Sequence, residues 1–133
     1  DWTCILGLLP VQLHKTPVQG KLVPMPAYLL QVAYTPQALS ALIANPHDRT
    51  QALKKNVRNL GGKMVGSWFA FGEYDLIAIM EFPDNVSAAA WALATAAGGA
   101  LRSVKTTPLL SIEEGLEALR KVPESKYQSI VAS

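Results

Sequence analysis

An apolar run ending at Trp68-Phe69-Ala70-Phe71 breaks at Gly72-Glu73-Tyr74-Asp75 and resumes at Leu76. That punctuation constrains the fold more than any other stretch. Gly72 supplies a backbone position that residues with a Cβ resist, and an Asp such as Asp75 can fold back onto nearby amides. The segment therefore reads as a β-hairpin tip between strands over about 63–71 and 75–82. A two-residue turn at Glu73-Tyr74 would pair Gly72 with Asp75 and fix the register.

The flanking segments carry start and stop signals. Ala27–Thr35 reads as a strand, and Thr35-Pro36 opens a helix with Thr as N-cap and Pro at its first position. Asn45-Pro46 interrupts that helix, which restarts at Asp48, places Leu53, Val57 and Leu60 on one face and stops at Gly61-Gly62. After the hairpin, Pro83 ends the pairing and Asp84 caps an Ala-rich helix reaching Gly98-Gly99. A fourth strand over about 101–107 follows, and Ser111-Ile112-Glu113-Glu114 is a capping box opening a final helix to about Lys121. The order β-α-β-β-α-β with a C-terminal helix predicts an α+β, ferredoxin-like fold, a four-stranded antiparallel sheet with helices on one face. The domain spans 25–122, with an arm over 1–24 and a tail over 123–133. The arm holds three prolines and no acid after Asp1, and Met25-Pro26 resembles a translation start. It reads as an addition, or as an arm packed on its own domain or a neighbour.

Composition excludes several classes. With 133 residues, 50% hydrophobic and 17% charged, the chain can build a core. A net charge of +2 and the absence of aromatic interleaving among Lys54, Lys55, Arg58 and Lys63 argue against nucleic-acid binding. A single cysteine, Cys4, fits a cytoplasmic setting, and no run of about 18 apolar residues predicts a membrane span.

The predicted register puts Val65, Ser67, Phe69, Phe71, Leu76, Ala78, Met80 and Phe82 on the helix-packing face. The opposite face receives Met64, Gly66, Trp68, Ala70, Ile77, Ile79 and Glu81, with no helix left to cover it. Soluble monomers avoid such apolar patches, so the same face of another copy is expected to cover it. On the second helix Val86, Ala90, Leu93 and Ala97 share a stripe and Trp91 falls off it, which suggests a further contact for the indole.

Three segments, Tyr28–Thr35 followed by Pro36, Phe71–Leu76, and Thr106–Leu110, resemble the GYD domain family over roughly residues 25–120. The resemblance implies a ferredoxin-like chain that pairs through its sheets into a dimeric α/β barrel. The chain is also similar, more distantly, to the effector-binding domain of leucine-responsive-type transcription regulators. That resemblance implies a hairpin at a dimer interface where small amino acids bind, here without the DNA-binding helices.

No catalytic constellation stands out. His47 and Glu81 are the candidate bases: His47 lies in the break of the first helix, and Glu81 is a carboxylate on an otherwise apolar face. No His/Cys/Asp/Glu set has metal-ligand spacing, and neither glycine pair matches a phosphate or dinucleotide loop, so no metal or cofactor is predicted. Gln31, Tyr34, Trp68, Tyr74, Asp75, Ile77, Ile79, Arg102, Lys105 and Thr106 are candidates to line a ligand site or interface, and Gly72 is the structural turn residue. The expectation is a cytoplasmic, non-enzymatic homo-oligomer, dimeric at its base, that binds a small molecule at the sheet interface. The alternatives are a small α/β-barrel monooxygenase or isomerase, and a structural accessory subunit.

Overall fold

A computed structural model describes residues 13–15 and 22–131. In chain order its elements are β1 (Leu13–Lys15), β2 (Leu22–Pro24), β3 (Ala27–Tyr34), α1 (Pro36–Ala44), α2 (Thr50–Asn59), β4 (Lys63–Phe69), β5 (Leu76–Glu81), α3 (Asn85–Ala97), β6 (Leu101–Leu109) and α4 (Ile112–Lys121). A 3₁₀ turn over Val122–Ser125 follows. Strands β3 to β6 form one antiparallel sheet in the order β4-β5-β3-β6, compatible with the expected ferredoxin-like fold. The predicted N-terminal arm contains a short antiparallel pair, β1 with β2, which the sequence reading missed. The rest of that arm, with the packing expected of it, lies outside the described residues.

The caps fall where the side chains put them. Thr35 Oγ1 accepts the Ala38 N–H at 3.1 Å, and the Asp84 carboxylate accepts the Ser87 N–H at 2.8 Å. Ser111 and Glu114 exchange both bonds of the capping box at 3.0 Å. Each satisfies an N–H that a helix start otherwise leaves orphaned. Gly61 follows α2 at φ +79°, the left-handed conformation that lets the chain turn back into β4.

The core lies between one sheet face and helices α2 and α3. Tyr28, Leu30 and Val32 of β3, with Leu76, Ala78 and Met80 of β5, meet Val57, Ala88 and Trp91, and Phe82 closes one end. The Phe82 ring meets Tyr28 edge-on at 5.9 Å, and the Tyr28 hydroxyl donates to Asn85 Oδ1 at 2.6 Å, tying the start of α3 to the central strand.

Gly62 makes this close packing possible. A Cβ there would stand 2.5 Å from the Glu81 carbonyl oxygen and 2.7 Å from the Phe82 ring. The carbonyl belongs to a strand and cannot swing aside. Gly62→Ala is expected to destabilise the fold by roughly 1–3 kcal/mol in urea unfolding, whereas Gly115→Ala, which meets open space in exposed α4, should be neutral or stabilising.

The hairpin differs from its predicted form in two ways. The strands pair Phe69 with Leu76, and the Ala70 N–H donates to the Asp75 carbonyl at 2.8 Å, so residues 70–75 form a longer loop, not a two-residue turn. The register therefore moves by two residues, which leaves the faces of 66–69 and 76–79 unchanged. A bulge at Val65 then flips the start of β4. Met64 pairs with Met80 and is buried in the core, while Val65 is half exposed, the reverse of the predicted faces. Phe69, at the end of the edge strand, and Phe71, in the loop, are both exposed and not under a helix as expected.

Trp91 is also placed differently. It is buried with Ala88, while Val86 and Leu93, on the stripe predicted to face the core, are 79% and 71% exposed. Alanine is cheap to bury or expose, so the largest side chain on the helix decides which face turns inward.

Candidate functional site

Between the sheet and helices α2 and α3 lies a cleft of about 370 Å³. Leu30, Val32, Ala78 and Met80 form its floor, with Leu53 and Trp91 among its helical walls. The strand periodicity aims these residues here, since even-numbered positions of β3 and β5 share the helix-facing side. Polar groups enter mainly from Tyr34, Arg49, Asn56, Asn59 and Thr95. Thr95 is already engaged, its hydroxyl donating to the Trp91 or Ala92 carbonyl at 3.1 and 3.0 Å. Among the described residues of the lining, Arg49 is the one that carries a charge. A pocket of this size, apolar with a few polar groups, has the character of small-molecule sites.

The Tyr34 phenol has its pKa pushed up by burial. The Arg49 guanidinium nearby opposes that rise, and the Asp75 carboxylate adds to it. Near neutral pH the phenol is therefore an O–H donor. A second hollow of about 100 Å³ shares Tyr34, Arg49, Leu53 and Leu76 with the cleft and reaches His47, Asp48 and Trp68. His47 Nδ1 lies 2.7 Å from the Asn45 carbonyl oxygen. A carbonyl only accepts, so Nδ1 is the donor of this bond. Asp48 is used locally: its Oδ1 accepts from the Thr50 N–H at 2.8 Å and the Thr50 hydroxyl at 2.6 Å, which holds its carboxyl below the usual range.

The remaining candidates scatter. Gln31, Ile77 and Ile79 are half-buried on the opposite sheet face. Trp68 stands there too, 55% exposed, its indole folded over Gly66, where a Cβ would come within 2.8 Å of the ring. Lys105 shares that face beside Gln31, and Arg102 sits at the irregularity where β6 pairs with Tyr34. Thr106 pairs with Leu30, which puts it on the helix side, its hydroxyl buried without a hydrogen-bond partner. Tyr74 and Gly72 stay in the hairpin loop. Asp75 does not fold onto the hairpin amides as expected. Its Oδ2 accepts the Tyr34 N–H at 2.8 Å, while its own N–H donates to the Val32 carbonyl at 2.8 Å. The Gly-x-Tyr-Asp tip thus fastens the end of β3 and holds Tyr34 in place at the cleft.

Arg49, Asn56 and Trp91 were missed as site residues. A helix-start arginine with Leu53 and Asn56 on the following turns was the available signal, but only the packing of α2 over the sheet turns that row into a wall.

Glu81 lines neither cavity. It sits on the open face opposite Lys63, its pKa raised by burial and partly restored by the Lys63 ammonium. Its folded pKa lies above the unfolded value, so between the two the folded state holds a proton the unfolded chain has lost. Stability is therefore greatest below the carboxylate range and falls as pH rises through the raised pKa. Glu81→Gln should remove this dependence, its stability relative to wild type increasing between about pH 4 and pH 7 in parallel thermal melts. A constant difference between the two proteins would refute a raised pKa.

Among the described residues, no group of three or more His, Cys, Asp or Glu side chains could hold a metal ion, and no helix is long and apolar enough to cross a membrane. No curated protein matches the sequence. The family model of the GYD domain matches residues 28–119, a span that starts in β3 and ends within α4 and takes in the whole cleft. The chain belongs to the GYD domain family.

Proposed function

We propose that this protein is a small-molecule binding protein, dimeric at its base, whose ligand occupies the cleft between the sheet and helices α2 and α3. The cleft itself carries this reading: about 370 Å³ of largely apolar space, with polar groups gathered at Tyr34, Arg49 and Asn56. Binding without catalysis is preferred because, among the described residues, the cleft lining offers no carboxylate, histidine or cysteine to act as base or nucleophile. A cytoplasmic setting is part of the same proposal, and the lone cysteine is compatible with it.

Two unpartnered apolar surfaces support the dimer. The open sheet face carries Leu29, Trp68, Ile77 and Ile79, with no helix packed on it among the described residues. Helix α4 is amphipathic, yet Ile112, Leu116 and Leu119 along its stripe are 84%, 46% and 67% exposed. A ten-residue helix is marginal alone in water, so its stability must come from packing. A second copy supplies that packing for both surfaces.

The test is native mass spectrometry of protein purified from its source. The expected result is a dimer mass with a retained small molecule, which Ala94→Trp, a bulky group at the cleft lining, removes. A bare monomer in both proteins would overturn the reading. His47 favours a second reading, a small barrel enzyme. The residue lines the hollow adjoining the cleft, placing an imidazole beside a bound molecule. His47→Gln would then leave the ligand bound but prevent its conversion.

A further inference from the structure

The lining of the cleft is lopsided in charge. Arg49 stands at the start of α2, exposed to solvent on one side and in the cavity lining on the other. Among the described residues, no carboxylate lines the cleft to neutralise it. Two acids outside its lining stand near this end: Asp48 accepts from Thr50 and borders the smaller hollow, and Asp75 accepts the Tyr34 N–H, its charge acting on the Tyr34 phenol. Tyr34 adds an O–H donor beside Arg49, and both residues border the cleft and the smaller hollow. One end of an apolar cavity therefore offers donors and one positive charge, and the other end offers Leu30, Met80 and the Trp91 ring.

We propose that the cleft takes a small monocarboxylic acid with an apolar, ring-sized body, its carboxylate held by the Arg49 guanidinium and the Tyr34 hydroxyl. This rests on the reading of the cleft as a ligand site and names the ligand class. A planar guanidinium matches a carboxylate in charge and in fork geometry. A phosphomonoester is a poorer match, because its second negative charge would meet no second cation among the described lining residues. A free amino acid is disfavoured for the converse reason, since no lining carboxylate would meet its ammonium group. The body must be compact: 370 Å³ corresponds to the volume of about a dozen waters.

The test compares 2-naphthoate with 2-naphthamide, equal in size and differing in charge, by isothermal titration of the full chain. The naphthoate should bind at least about tenfold more tightly, and Arg49→Gln should abolish that preference, binding the two probes alike. Ala94→Trp should abolish both. Equal binding of the two probes, indifferent to Arg49→Gln but lost in Ala94→Trp, would overturn the carboxylate assignment and leave the cleft standing as a ligand site. Binding that survives Ala94→Trp would place the site elsewhere, and no binding of either probe at millimolar concentration would remove the cleft and the assignment together.

Discussion

Replacing Trp91 with alanine is expected to destabilise the protein by about 3–5 kcal/mol, among the largest losses a single core substitution produces. Helix α3 reads Asn-Val-Ser-Ala-Ala-Ala-Trp-Ala-Leu-Ala-Thr-Ala-Ala, and its two buried residues are Ala88 and Trp91. With Val86 and Leu93 turned outward, Trp91 is the one large side chain that fixes α3 to the sheet. Its removal would also open the wall of the cleft, so the space left behind would join an existing cavity instead of closing. Trp91→Phe should behave differently. Among the described residues the buried indole Nε1 meets no acceptor, and an unmet buried donor costs about 1–3 kcal/mol. Phenylalanine loses some contact area but removes that orphan donor, and the two effects should leave it within about 1 kcal/mol of wild type. Urea unfolding followed by far-UV circular dichroism measures both. A Trp91→Phe loss close to that of Trp91→Ala would mean that Nε1 has an acceptor, a bound molecule or water, in the native protein.

Trp91 also marks the limit of what the sequence discloses. The order of elements was legible because each boundary carries its own chemistry: Thr35-Pro36, Asp84 and the Ser111–Glu114 box announce their helices through local hydrogen bonds. The facing of an Ala-rich helix was not, because a stripe of alanines sits equally well inside or outside and only contact with the sheet breaks the tie. The Val65 bulge and the 70–75 loop were hidden for a related reason. A strand's alternation persists on either side of an inserted residue, so periodicity gives no sign of where the parity changes. Tyr34 was legible as a site candidate, its setting was not. Arg49 and Asn56 became visible only when α2 was laid over the strands, since a cleft is a property of how two layers meet.

Substituting Ile79 with aspartate is expected to weaken self-association by more than about 100-fold, equivalent to roughly 3 kcal/mol or more. Ile79 lies in β5, an inner strand of the sheet, beside Leu29 of β3 and Gly66 of β4, on the face opposite the core helices. In a single chain this side chain is half-buried, so a carboxylate there also costs the fold some stability, which the folding control measures separately. In a two-fold dimer built on this face the substitution enters twice, placing two unpaired carboxylates in a dry interface, and the penalty for such groups is several kcal/mol each. The experiment is sedimentation velocity across the micromolar range, with thermal unfolding of each variant as the control for folding. Wild type should sediment as a dimer, and Ile79→Asp as a folded monomer. Leu116→Asp tests whether α4 joins the same assembly. Its side chain is half exposed, so its effect on the isolated chain should be small, and any loss of dimer reports on packing against the second copy. Should Ile79→Asp remain dimeric while Leu116→Asp dissociates, the copies meet through α4 and not through the sheet. If neither variant shifts the equilibrium, the pairing of sheet faces is wrong.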